Sequence, residues 1–403
     1  MKLIENAMIL AGRELQIIEK GYILMDNGEI TEVKPGEFKG YIKTRINARG
    51  KIAIPGLINS HTHIGDSIAK ELGIGASLDE IMKPPHGIKH EILKRTKEDK
   101  IVAAMRITVK DMIRSGITTF TDFRENGIQG VKQLQKAVKN LKIKHIILGR
   151  PDFYQKAGDL IKNNAQFPEK ALKETRRISK LTDGIAISSP NEYTDPALKQ
   201  ISSVCNTKIK ASHAAEGRDS NKISRSRTRL NEVDRALNVF KADLLIHLTH
   251  AEKEDYPEVR KHKIGVVICP RANSILGIGF PPVKELLKNR IKIALGTDNV
   301  MINQPDLFRE MDYLSRTVKA IYKDPSLLAP REILKMVTSN AAEVLMRKEI
   351  GSIEEGKRAD IVMISNEDLN MIPFLNPISS IIHRARSENV KLVMINGEIV
   401  YSK

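Results

Sequence analysis

The chain has 403 residues, 41% of them apolar and 29% charged, without any low-complexity tract, which excludes a disordered protein and suits one large α/β barrel with an accessory piece. Lys and Arg outnumber Asp and Glu by 66 to 49, a net charge of +17, but the basic residues are scattered over predicted helices (Lys132, Lys136, Lys139, Lys142) and aromatics are only 4%, so no nucleic-acid interface is expected. Cys205 and Cys269 are far apart and predict no disulfide framework, which suits a reducing cytoplasm, and the opening MKLIENAMIL carries Glu5 and Asn6 inside its apolar run, so neither a leader nor a membrane span is expected.

From Lys2 to Glu32 the pattern alternates like strands, with Asp26, Asn27 and Gly28 as a hairpin signal. Eight strand candidates follow: 52–63, 117–123, 145–152, 184–190, 208–216, 242–250, 265–270 and 291–299. Segments of helical period separate them, among them KIVAAMRITVKDMIRSG, VKQLQKAVKNL, RLNEVDRALNVF and PPVKELLKNR. Eight strands interleaved with helices predict an α/β fold of the (β/α)8 TIM-barrel type. After the helical PREILKMVTSNAAEVLM the strand pattern returns in ADIVMI and VKLVMINGEIVYSK, so both termini are expected to join in one small β-sandwich. The expected division is 1–53 and 349–403 for the sandwich and 54–348 for the barrel.

Polar residues fall at the carboxyl ends of the predicted strands, where enzymes of this fold build their sites. The first strand ends in His61 and His63, which the two-residue strand period places on one side, as a metal requires of two neutral imidazoles. The fifth ends in His213 and Glu216, the sixth in His247 and His250, the eighth in Thr297 and Asp298. Each residue alone has a structural explanation, a satisfied core histidine or a helix cap, and it is their convergence on one barrel mouth that argues for a site.

The segments PGLINSHTH, SGITTFTDF, SHAAEG, LIHLTHAE, PPVKELLKNRIKIALGTDN and NAAEVLMRKEIGSIEEGKRADIVMI resemble the amidohydrolase superfamily, in its cytosine deaminase and chlorohydrolase branch. That resemblance implies a metal-dependent hydrolase with one divalent ion per chain, Zn²⁺ or Fe²⁺, held by His61, His63, His213 and Asp298. It further implies that Glu216 shuttles a proton to a substrate ring nitrogen, that His247 orients the attacking water with His250 as its reserve, and that Asp298 also takes the water's proton. Strand four, GIAISSP, offers no lysine to bridge two metals, which favours a mononuclear centre, and mononuclear relatives remove ammonia from heterocycles.

The expected activity is therefore hydrolytic deamination of a purine-, pyrimidine- or pterin-like small molecule, with opening of a cyclic amide or displacement of halide as the alternatives; a homo-oligomer is compatible with it. Where adenosine-type deaminases carry a histidine after strand four, this chain has Ser188, Ser189, Pro190, Asn191 and Glu192, which argues against an adenosine-like substrate. Ser189, Asn273 after strand seven and Arg150 after strand three are the candidate substrate contacts, Arg150 alternatively pairing with Asp122 or Asp152. The insertion 65–94, with Pro84, Pro85, His86 and His90, is a candidate lid whose histidines are read as surface residues.

Overall fold

A computed structural model describes residues 1–82 and 86–403. Pro84 and Pro85 of the candidate lid lie outside the described residues.

The parallel sheet runs in sequence order through Leu57–His63, Ile117–Arg124, Lys144–Gly149, Gly184–Ile187, Ile209–Ala214, Leu244–His247, Gly265–Ile268 and Ile293–Leu295. The last strand is interrupted at Gly296 and Thr297 and resumes as Asp298–Asn299. Its first piece pairs with the seventh strand and its second with the first, Asp298 opposite Thr62 and Asn299 opposite His63. The ring therefore closes through a broken eighth strand, giving the (β/α)8 barrel. Closure removes the free edges that an open sheet would expose.

Alternation decides what each strand buries. Ile58, Phe123, Ile146, Leu148, Ala186, Ala211, Leu244, Ile246, Val267 and Ala294 form one cluster drawn from every barrel strand, the barrel interior. Their neighbours Leu57, Ile147, Ile185, Leu245, Val266 and Ile293 join a second cluster with the surrounding helices. Each Val, Leu, Ile or Phe side chain among them contributes about 1.5–3 kcal/mol when taken from water, so the two-sided burial specifies the register strongly.

Both termini build the other sheet, in the order Glu398–Ser402, Val390–Ile395, Ile361–Ser365, Lys51–Pro55, Lys2–Ala11, Gln16–Asp26 and Glu29–Pro35, with Thr44–Asn47 alongside the first strand of the chain. All eight strands are hydrogen-bonded in one sheet that buries its own core, including Ile4, Ile23, Ile361 and Met394. The two hairpin signals act as expected. Asn27 and Gly28 have φ of 48° and 77°, and Asn396 and Gly397 have φ of 50° and 72°, the left-handed pair that a two-residue hairpin requires.

Three expectations about elements are corrected. The run 52–63 is two strands, Lys51–Pro55 in the terminal sheet and Leu57–His63 in the barrel, divided at Gly56. At Gly56 a Cβ would lie 2.2 Å from Oγ1 of Thr118, so the chain crosses between sheets where no side chain fits. The stretch 330–346 is likewise two helices, Pro330–Lys335 and Ser339–Val344. The predicted helix over 229–240 is a single turn, Glu232–Asp234, that widens into a π-type turn over Arg235–Val239. No described helix is long and apolar enough to cross a membrane.

Candidate metal centre and active site

At the carboxyl end of the barrel, His61, His63 and His213 bring one ring nitrogen each within 4.8 Å of one another, and His61, His247 and Asp298 form an overlapping set. All five are buried. Four of them depart from simple alternation or regular backbone. Pairing of the first strand with the second slips between Asn59 and Thr62, which turns His61 and His63 inward although Leu57, of the same parity, faces the helices. His247 shares the parity of the outward Leu245, and its φ of 74°, followed by 52° at Leu248, turns the chain there. Asp298, at φ 63°, follows the break in its strand. Left-handed backbone at non-glycine residues costs about 1–3 kcal/mol each, and strain of this kind gathers at functional sites.

Hydrogen bonds behind the rings fix which nitrogen faces the centre. Nδ1 of His213 donates to the carbonyl of Ile187 at 3.2 Å, and Nδ1 of His63 faces Oε1 of Glu125 at 2.8 Å and the carbonyl of Phe123 at 3.1 Å. In both rings Nε2 is left as the lone-pair atom. Nε2 of His213 lies 3.2 Å from Nε2 of His61, and Oδ1 of Asp298 lies 3.3 Å from the latter and 3.5 Å from Nε2 of His63. Burial holds the His61 imidazole down to about 3, and His213 well below its ordinary value, so both rings are neutral at pH 7. Burial alone would raise the Asp298 carboxyl, but its hydrogen bond to His61 and the neighbouring histidines outweigh this and hold it below the usual carboxylate range. Neutral imidazole nitrogens facing one another beside an ionised carboxylate are a donor set suited to a divalent cation of the zinc type.

His247 stands beside this set. Its Nδ1 donates to Oδ1 of Asn273 at 3.0 Å, while its buried Nε2 has no hydrogen-bond partner and faces Oε1 of Glu216 at 3.6 Å. Burial pushes the Glu216 carboxyl up, against the opposing pull of His247. The two carboxyls are thus pushed in opposite directions by their surroundings, Glu216 up and Asp298 down, the kind of separation that suits one group to acid and the other to base chemistry. His250 lies apart, its Nε2 donating to the carbonyl of Ile278 at 2.6 Å.

The three candidate substrate contacts are each hydrogen-bonded within the chain. Ser189 donates to Glu232 and accepts from the backbone N–H of Asn191 at 2.9 Å, and Asn191 itself bonds Ser220, Glu232 and Arg235. Asn273 holds His247 and donates to Thr249. Arg150, 7% exposed, donates to Ser188 and to the Tyr154 hydroxyl at 2.5 Å, so the expected pairing with Asp122 or Asp152 gives way to these partners. Of the insertion histidines, His86 is exposed and His90 bonds the carbonyl of Met82 at 3.1 Å.

A charged group stands behind the centre, of which the sequence reading singled out only Asp122, and that as a partner for Arg150. Glu125, Arg124 and Asp122, all buried, end the second strand; Nη2 of Arg124 donates to Oε2 of Glu125 at 2.6 Å, and Oδ2 of Asp122 accepts the N–H of Ile64 at 2.7 Å. The guanidinium of Arg124 occupies the space where a Cβ on Gly65 would stand, 2.0 Å from Nη2. The signal was present in TDFRE, since three charged residues closing an apolar strand at a barrel mouth must be paired or functional.

Residues 52–400 match the amidohydrolase family. A Methanothermobacter thermautotrophicus protein provisionally named an aminohydrolase is 38% identical over 99% of both chains. A 5-methylthioadenosine/S-adenosylhomocysteine deaminase of Thermoanaerobacter pseudethanolicus is 29% identical over 99% of this chain and 93% of its own. Among solved structures, an adenosine deaminase from Xanthomonas campestris with bound zinc superposes with a TM-score of 0.86 at 20% identity, covering 98% of this chain and 92% of the other. A zinc complex of atrazine chlorohydrolase from Arthrobacter aurescens gives 0.84 at 19% identity, covering 99% and 95%.

Proposed function

The chain belongs to the amidohydrolase family, and we propose that within it this protein is a hydrolytic deaminase, releasing ammonia from an aminated purine-, pyrimidine- or pterin-like heterocycle. The observation that carries the reading is the gathering of two acids at the inward-facing imidazole nitrogens, Glu216 with its carboxyl pushed up by burial and Asp298 with its carboxyl held down by the histidines. Relatives named as deaminases over nearly the full chain support it.

In this proposal His61, His63, His213 and Asp298 hold one divalent ion, zinc by preference, whose contribution when bound is to bring the pKa of a water towards about 7. Asp298 takes a proton from the attacking water, and its low proton affinity keeps it ready as the base. Glu216 gives its proton to the ring nitrogen next to the carbon under attack, so that the C=N electron pair moves onto that nitrogen as the new C–O bond forms. The Nε2 of His247, with Nδ1 held by Asn273, orients the water and steadies the oxygen. The proton taken by Asp298 then passes to the amine, the C–N bond breaks with its electron pair leaving on ammonia, the proton left on the new hydroxyl goes to Glu216 and so restores it, and a ring C=O remains. The absence of a lysine from strand four supports a single ion.

Metal analysis of the purified protein is expected to find about one equivalent of zinc or iron per chain, and two equivalents overturn the mononuclear assignment. A panel of aminated heterocycles assayed for ammonia tests the reaction. Release of halide from chlorinated rings, or opening of cyclic amides without ammonia, replaces the deaminase reading.

A further inference from the structure

Lysine is almost never fully buried unless paired, and Lys89, on the helix Ile88–Arg95, is only 3% exposed. Removing an ammonium from water costs several kcal/mol, so its partners must be specific. Two carboxylates meet it. Its Nζ pairs with Oε1 of Glu125 and lies 3.6 Å from Oδ2 of Asp66. The same Oε1 of Glu125 is the atom 2.8 Å from Nδ1 of His63. Asp66 reaches the other side of the barrel seam: its Oδ2 accepts from Nδ2 of Asn299 at 2.7 Å and its Oδ1 from the N–H of Met301 at 3.1 Å. Asn299 directly follows Asp298.

One ammonium therefore joins two short chains of contacts, Glu125 to His63 on the first strand and Asp66 to Asn299 on the broken eighth. These are the two strands whose pairing closes the ring, and each carries residues of the candidate metal set. A carboxylate behind an imidazole sets its tautomer and orientation, and loss of such support lowers metal affinity about 10–100-fold.

We propose that Lys89 is a positioning residue that holds His63 and Asp298 in mutual register by clasping Glu125 and Asp66 across the barrel seam. This rests on the assignment of those two residues as metal ligands. It adds that a helix outside the barrel takes part in shaping the site.

The test is the rate at which substrate-free, metal-loaded protein surrenders its ion to a chelator. Lys89→Met is expected to speed release about tenfold or more, Lys89→Arg to restore part of the difference, and Glu125→Gln to speed release in the native background but add little on top of Lys89→Met. Release from Lys89→Met at the native rate, or effects of the two substitutions that simply multiply, would overturn the proposal. If Lys89→Met does not fold, Glu125→Gln decides: unchanged release in that variant overturns it equally. Ammonia assays on the same samples keep the two readings apart, because native protein that retains metal yet deaminates nothing removes the deaminase assignment and leaves the clasp intact. A native protein that binds no divalent ion overturns both.

Discussion

Asn273 presents its Oδ1, not its Nδ2, to His247, because the amide nitrogen is already committed to the Thr249 hydroxyl while Oδ1 accepts from Nδ1 of the imidazole at 3.0 Å. That arrangement leaves the ring's Nε2 as a bare acceptor toward Glu216. On the proposed mechanism, Asn273→Ala frees the ring to adopt either tautomer and is expected to lower kcat about 10–100-fold with little change in KM. Steady-state ammonia release measures it, and an unchanged kcat would show that His247 needs no such support.

Glu216→Gln keeps the shape of the side chain but removes its proton traffic. General acid–base catalysis contributes about 10²–10⁴-fold, so turnover is expected to fall by that factor while the metal content stays at the native level. Metal analysis beside the rate assay separates the outcomes: retained activity removes Glu216 from the mechanism, and loss of metal makes it a ligand.

Gly296 sits at the break in the eighth strand, where a Cβ would lie 2.6 Å from Cβ and 2.9 Å from the backbone N of His61. Gly296→Ala must push the first strand away or distort the seam. Overpacking of this kind costs about 1–3 kcal/mol, so a lower Tm and diminished metal content are expected together. A native Tm with full metal loading would mean that the seam yields freely.

Much of this arrangement is legible in the sequence. The eight strands, the paired imidazoles and the two acids follow from apolar runs that end in polar residues, a pattern with few physical explanations in a buried parallel sheet. What the pattern could not carry is parity. Counting residues from Leu245 sends His247 to the outside of the barrel, and only its left-handed backbone reverses that. Ser189, Asn273 and Arg150 are expected from their places at strand ends to touch substrate, and the sequence does not show the hydrogen bonds that each also makes within the chain, to Glu232, Thr249 and Tyr154. Lys89 was hidden for a related reason: within IKHEILKR it is one of several charged residues on a polar helix, and its neighbours say nothing of the carboxylates it meets.

Glu310 supplies a pH dependence of folding. It is fully buried, and burial pushes its carboxyl up to about 7 despite Arg271 and Asn303 nearby. Between its ordinary value of 4.5 and about 7 the folded chain holds a proton that the unfolded chain has released. Its contribution to stability is therefore complete below the lower value and is lost as pH rises through the upper one, a change of up to about 3 kcal/mol. Glu310→Gln should flatten that part of the curve. Denaturant midpoints for both proteins at steps from pH 5 to 8 check it, and parallel curves would exclude the assignment.

The terminal sheet sets the order in which the molecule can be completed during synthesis. Strand Lys51–Pro55, one residue upstream of the strand that carries His61 and His63, pairs along its whole length with Ile361–Ser365, and Gly56 donates its N–H to Asp360 at 2.9 Å. The barrel is encoded between those two partners, and ribosomes add only about 5–20 residues each second. For tens of seconds the nascent chain therefore carries a central strand with one unpaired edge, exposed to neighbours on the same polysome. Ile361–Ser365, encoded after the whole barrel, supplies that edge, so the strand leading into the first barrel strand gains this anchor only after the barrel itself has been synthesised.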